Sequence, residues 1–324
     1  LHILCLKKHS ESTGKAINNK YFCYTHTMTE LQDKKVFIQH LINKCLTEKR
    51  LCLSALRLDE LHPIISGNKW FKLKYYLADA KKRNIKTIST IGGAYSNHIV
   101  AAAYAATLNG YKSTGIIRGE RSNNLSATLL QAEEFGMELI FVSRDEFNQP
   151  LILKEKYTDT DCYWINEGGY GILGAAGASE ILNWIDESYT HIICACGTGT
   201  MMAGLIKAAK PNQHIIGISA LKGYDHSNEI NELLTEEEQQ KKFTLFTEYH
   251  FGGYAKHPTL LIEFMKSVWQ QYQLPTDIVY TSKLLYGVFD LIKKDYFPTD
   301  SKIMIIHSGG LQGNRSLPAN SLPF

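Results

Sequence analysis

Along most of this chain, short apolar and β-branched runs alternate with amphipathic stretches, separated by turns rich in glycine. Apolar runs at 51–58, 86–91, 113–117, 137–142, 192–195, 215–219 and 302–306 read as strands. Patterns with helical period follow or lie between them at 69–83, 98–108, 124–135, 175–185, 201–209, 259–272 and 283–294. Strand and helix in regular succession build βαβ units, and consecutive βαβ units build parallel sheets covered by helices. The expected class is therefore α/β, and 324 residues leave room for two lobes. Between the clear elements, 28–50 reads as one helical stretch leading into a strand, 143–164 as irregular, and 229–242 as a charged, solvated helix. The last residues, with Pro and Asn, are expected to fray.

Composition narrows the function classes. A net charge of +3, with 21% charged and 44% apolar residues, gives no basic surface for nucleic acid or membrane. No apolar run approaches the roughly 18 residues of a spanning helix. Cysteines 5, 23, 45, 52, 162, 194 and 196 are odd in number and unpaired in spacing, which points to reduced thiols and a cytoplasmic protein. Cys194 and Cys196 sit in an apolar strand with no matching ligand pair downstream, so they read as core thiols and not as a metal site. Residues 1–27 lack apolar period and arginine, and the first methionine is Met28. They are expected to be a disordered or non-native leader.

Three stretches could carry chemistry. Lys69 stands between a strand and a helix, in Ser66-Gly67-Asn68-Lys69. An amine at a helix start lies near unpaired N–H groups and the positive end of the dipole, which favours its neutral, nucleophilic form. Such an amine suits a Schiff base with an aldehyde; the alternative is a solvated surface lysine beside Lys72 and Lys74. Cys196-Gly197-Thr198-Gly199-Thr200 joins a strand to a helix, so its amides and hydroxyls can close on an anion. It is neither a P-loop nor a dinucleotide fingerprint, which leaves one small phosphate, or an empty tight turn. Gly92 to His98 forms a second such turn, where Ser96 and Asn97 either bind a carboxylate or simply cap the next helix. A nucleophilic lysine, a phosphate cradle and a carboxylate turn are together what pyridoxal phosphate needs to act on an amino acid.

These motifs, in this order, resemble the family of 1-aminocyclopropane-1-carboxylate deaminase and D-cysteine desulfhydrase, within the tryptophan-synthase-β-like pyridoxal-phosphate enzymes. The similarity runs from Leu51 to Gly313 and includes Gly67-Asn68-Lys69, Ser96-Asn97-His98, Thr198-Gly199-Thr200, Gly253-Tyr254, Val279-Tyr280-Thr281 and His307-Ser308-Gly309-Gly310. The resemblance implies a two-lobed, three-layer αβα fold with the cofactor in the cleft. Its larger, cofactor-binding domain would comprise 28–71 and 165–324, its smaller, substrate-side domain 72–164, and the assembly would be a homodimer. It also implies roles. Lys69 carries the cofactor, with Asn68 beside it, and Cys196, Gly197, Thr198, Gly199 and Thr200 hold the phosphate. Ser96, Asn97 and His98 take the substrate carboxylate, Ser96 doubling as a possible base. Tyr254 and Tyr280 face the substrate, and Thr281 faces the pyridine nitrogen.

In the deaminases that open a cyclopropane ring, Glu stands at the position of Thr281 and strengthens the electron sink. Thr281 departs from that pattern and favours β-elimination, most directly from D-cysteine to pyruvate, sulfide and ammonia. Ring-opening deamination, racemisation, a synthase reaction and a non-catalytic ligand-binding module keep the same motifs and stay open.

Overall fold

A computed structural model describes residues 36–324; the leader expected over 1–27 lies outside them. In chain order the elements are β1 (Ile38–Leu41), α1 (Lys44–Glu48), β2 (Cys52–Arg57), α2 (Asn68–Lys82), β3 (Thr87–Gly92), α3 (Asn97–Leu108), β4 (Lys112–Arg118), α4 (Ala127–Glu134) and β5 (Met137–Val142). There follow α5 (Arg144–Phe147), α6 (Pro150–Tyr157), β6 (Cys162–Ile165), α7 (Ile172–Ser179), β7 (His191–Cys196), α8 (Thr200–Ala208) and β8 (His214–Ser219). The chain ends with α9 (Ser227–Asn231), α10 (Glu236–Gln239), β9 (Phe243–Phe246), α11 (Thr259–Tyr272), α12 (Thr281–Lys293) and β10 (Lys302–His307). Among these helices none is long and apolar enough to cross a membrane.

Two sheets result, one ordered β1-β2-β10-β7-β8-β9 and one β5-β4-β3-β6. Every pairing is parallel except β1 with β2. Helices on the faces bury the central strands, which explains their near-continuous apolar runs: β7 and β8 are buried at every position. Cys194 and Cys196 lie in that core. Arg57 pairs with His307 at the C-terminal ends of β2 and β10. The loops leaving β2, β10 and β7 therefore emerge side by side, at the edge where open α/β sheets place their ligands.

α7 decides how two of those loops meet. Its glycines let it press against α2 and α8 with no side chain between: a Cβ on Gly177 would fall 2.0 Å from the Phe71 carbonyl oxygen. Likewise a Cβ on Gly204 of α8 would fall 2.5 Å from the Ala175 oxygen. The small residues of 172–179 thus act as a thin wedge that brings the starts of α2 and α8 to one place.

Four expectations are corrected. Leu41 belongs to an edge strand and not to a helix, and among the described residues up to Arg50 only 44–48 is helical. The stretch 143–164 holds two helices and a strand; Ser143 and Glu146 form a reciprocal capping box that starts α5. The charged helix over 229–242 is two short helices, because Thr235 and Glu238 form a new capping box in its middle. The C-terminal tail packs down: Leu317, Leu322 and Phe324 cover Leu261, Met265, Ile278 and Val279, and the Phe324 ring lies 5.1 Å from that of Trp269.

Candidate active site

At the C-terminal edge of the larger sheet lies a cleft. Ser66, Asn68, Lys69 and Lys72 form one wall, and Cys196 to Gly199 form the floor. Asn97, Tyr280 and the turn Ser308-Gly309-Gly310 close the remaining sides. Lys69 thus shares one cleft with the glycine–threonine turn.

The lysine loop is held by its backbone. Gly67 has φ of +64° and its missing side chain makes room for the strand β10 turn: a Cβ there would stand 1.7 Å from the Ser308 oxygen. The same oxygen accepts from the Asn68 N–H at 3.3 Å. Asn68 then ties the loop to α8, its Nδ2 lying 3.4 Å from Met201 Sδ, and its Oδ1 accepts from Lys69 Nζ at 3.2 Å. Burial lowers the Lys69 amine to about 8. Desolvation disfavours the ammonium, so roughly a tenth of the amine is unprotonated at pH 7, far more than for an ordinary lysine.

The floor is an anion cradle. Gly199 caps α8 in the left-handed region, at φ +74°, which leaves the first amides of the helix unpaired within it. Thr198 and Thr200 share a hydroxyl–hydroxyl bond of 2.9 Å; Thr200 itself is fully buried behind the turn. Lys72 completes the cradle, a residue that sequence reasoning gave no role. It is only 4% exposed, and its Nζ donates to the Gly168 oxygen at 3.3 Å. Burial, then the neighbouring Lys69, push its amine well down. The signal was present in the sequence: Lys69 and Lys72 are three apart and so share a helix face. Among the residues lining the cleft none is acidic. Two amines and a helix N-terminus without a counter-charge form a site for an anion. The thiol of Cys196, pushed up to about 12 by burial, stays protonated in this floor.

Of the residues expected on the substrate side, Tyr280 lines the cleft. Its ring covers Gly197, where a Cβ would lie 3.2 Å from the hydroxyl. Tyr254 stands edge-on to Tyr280, ring centres 5.8 Å apart. Burial raises both phenols, so both are neutral proton donors. Asn97 also lines the cleft; its Nδ2 donates to the Gly310 oxygen at 3.3 Å, and its Oδ1 is buried without a partner. Ser96 caps α3, its Oγ accepting from the His98 N–H at 3.3 Å.

Two more of the expected residues, His98 and Thr281, are buried. His98 is 1% exposed, with Nε2 2.8 Å from Thr90 Oγ1. In a helix it is rotated about 100° from Asn97 and points into the core. The Thr281 hydroxyl donates to Asp277 Oδ1 at 2.7 Å and accepts from the Asp277 N–H at 2.7 Å. Thr281 is fully buried, with its hydroxyl bonded to Asp277.

A family model described as pyridoxal-phosphate dependent enzyme matches residues 48–309. A Thermotoga maritima protein provisionally named 1-aminocyclopropane-1-carboxylate deaminase is 30% identical, over 83% of this chain and 92% of its own. A Salmonella typhi D-cysteine desulfhydrase is 26% identical, over 79% and 86%. A mitochondrial Arabidopsis thaliana protein named for both activities is 28% identical, over 77% and 70%. The crystal structure of a 1-aminocyclopropane-1-carboxylate deaminase homologue superposes with a TM-score of 0.73 at 25% identity, covering 88% of this chain and 92% of that one.

The cleft fits the cofactor of that family. Its phosphate matches the amides of the α8 start and the Lys72 amine, whose ammonium form an anion would favour, and its aldehyde matches an amine that burial keeps partly neutral. The unpartnered Asn97 Oδ1 offers an acceptor on the same wall. The chain belongs to the pyridoxal-phosphate dependent enzymes.

Proposed function

We propose that this enzyme catalyses the α,β-elimination of a small amino acid, with D-cysteine to pyruvate, sulfide and ammonia as the reaction to test first. The observation that carries the reading is a cleft lining with two lysines and one neutral phenol, that of Tyr280, but no carboxylate among the described residues.

Bound pyridoxal phosphate supplies the electron sink for breaking a bond at the substrate Cα. The amides that open α8, with Lys72, bind and neutralise its phosphate. Asn68 orients the Lys69 amine. That amine, at about 8, is matched to holding and moving the Cα proton. Ser96 and Asn97, at the start of α3, offer donors to the substrate carboxylate. Tyr280, with Tyr254 against it, is placed to give a proton to a departing thiolate, since both phenols keep theirs at neutral pH.

Opening a cyclopropane ring expels no heteroatom and needs strong electron withdrawal, which a carboxylate beside the pyridine nitrogen would reinforce. The walls contain none, and a thiolate leaves without that help. The name of the Salmonella relative supports the same reading. The name of the Thermotoga relative favours ring opening as the second reading, and that of the Arabidopsis relative covers both.

Purified enzyme given D-cysteine should release sulfide and pyruvate above a Lys69→Ala control. With 1-aminocyclopropane-1-carboxylate as substrate, 2-oxobutanoate in place of these products would make the second reading the correct one. We also propose the division into a cofactor-binding unit (28–71 and 165–324) and a substrate-side unit (72–164), a homodimeric assembly and a cytoplasmic location. Light scattering of the purified protein tests the assembly.

A further inference from the structure

One buried amine has no part in this chemistry. Lys283 is the third residue of α12 and is 0% exposed. A cation buried at the positive end of a helix is disfavoured twice, by desolvation and by the dipole. Its Nζ donates to three backbone oxygens: Gly253 at 2.6 Å, Tyr254 at 2.9 Å and Ala220 at 3.4 Å. Carbonyls only accept, so satisfying all three takes three N–H bonds. An ammonium has three. A neutral amine has two and would turn a lone pair towards the third oxygen. Two of these carbonyls belong to the turn that carries Tyr254, the ring packed edge-on against Tyr280.

We propose that Lys283 is the positioning residue for Tyr254: its ammonium pins the carbonyls of 253 and 254 and so holds that phenol against Tyr280 in the cleft. The inference rests on the reading of Tyr254 and Tyr280 as substrate-side proton donors. Asp277, on the segment before α12, is the charge that favours the ammonium. Lys222 and Lys256 pack their stems against the glycine turn, with Cβ 3.9 Å and Cγ 4.0 Å from where a Gly253 Cβ would stand. Burial brings the amine down to about 8, so mildly alkaline pH removes the third N–H and loosens the turn.

A double-mutant cycle on the holoenzyme tests this. Lys283→Met keeps the stem and removes every donor. Its kcat for sulfide release should fall about 10-fold, with KM within about 2-fold, a loss of the size that Tyr254→Phe alone should cause. If the lysine acts through the tyrosine, the double variant is no slower than Tyr254→Phe. Losses that multiply, or a Lys283→Met enzyme as fast as the wild type, overturn the proposal, as does a Tyr254→Phe enzyme without a defect. Should Lys283→Met fail to fold, Lys283→Gln serves: the wild type should lose kcat above about pH 8, and the glutamine variant should be flat there. Equal alkaline limbs overturn the proposal. Amide exchange at 252–256 is independent of the substrate and should quicken in either variant. If exchange quickens and no D-cysteine turns over, the substrate assignment is at fault and the clamp stands; unchanged exchange overturns the clamp itself.

Discussion

Buried charge gathers in two places near the cleft, and the two are built on opposite terms. Behind the lysine loop, Arg57 grips Asp59 with Nε at 2.8 Å and Nη2 at 2.6 Å, and Nη2 also lies 3.2 Å from Glu60. His307 Nδ1 is 3.0 Å from Asp59 Oδ1, and its Nε2 lies 2.6 Å from the Pro275 oxygen. The Nδ1 contact is that of an ion pair and not of an aligned hydrogen bond, and the Asp59 charge, working against burial, favours the protonated ring. Two cations then meet two carboxylates, and the cluster joins the ends of β2 and β10 to the loop that leads to Tyr280. On the cleft floor, Lys69 and Lys72 have no carboxylate among the described residues that line the cleft. The first cluster is complete without a ligand and the second is not. The unbalanced cluster is where binding energy is available, and the balanced one keeps its geometry fixed.

Removing a residue from each should therefore give opposite results. Lys69→Ala should lower sulfide release by about 10³-fold or more, since the group that moves the Cα proton is gone. The urea midpoint of the apoprotein should hold or rise, because a buried amine without a counter-charge is relieved. Asp59→Ala strands Arg57 and His307 in the interior and should cost about 3–5 kcal/mol of folding stability, read by chemical denaturation. An Asp59→Ala variant that loses less than about 1 kcal/mol, or a Lys69→Ala apoprotein that loses as much as Asp59→Ala, would erase the distinction. Lys72→Met should have a smaller effect, on binding alone. One charge-assisted contact to the phosphate is worth about 1.5–3 kcal/mol, so titration of the apoenzyme should show cofactor affinity weakened about 10- to 100-fold. Unaltered affinity would place the phosphate elsewhere.

The same contrast explains what could be read from the chain. The parallel strands were legible because burial on both faces forces continuous apolar runs, and β7 and β8 are buried at every residue. The start of α2 was legible from Gly67 to Lys69, where backbone demands are local. Strands of four residues at sheet edges were not: β1 and β6 exist through their pairing with β2 and β3, and Ile38 to Leu41 carries no period of its own. Within the candidate site, positions were legible and directions were not. Asn97 lines the cleft while His98, one residue on, is turned into the core; Tyr280 lines it while Thr281 is held by Asp277. Lys72 was passed over because one lysine among several reads as a solvated face until its surroundings show it buried.

The pH dependence separates the two clusters by sign. Contact with Asp59 outweighs burial and raises the His307 ring above its ordinary value. A raised base stabilises the fold fully below its unfolded pKa, about 6.5, and that contribution declines as pH rises until the folded value is passed. Each unit of elevation is worth about 1.4 kcal/mol. The depressed amine of Lys69, at about 8, works the other way in the apoprotein: its cost is full below about pH 8 and fades towards the free lysine value near 10.4. Urea unfolding of apoprotein and of a His307→Gln variant between pH 6 and pH 8 isolates the first effect, because Lys69 is common to both. The stability difference between wild type and variant should be greatest near pH 6 and shrink towards pH 8. A difference that does not vary with pH would mean that His307 is neutral, that one of its two acceptors lacks a proton, and that the clamp is no better balanced than the floor.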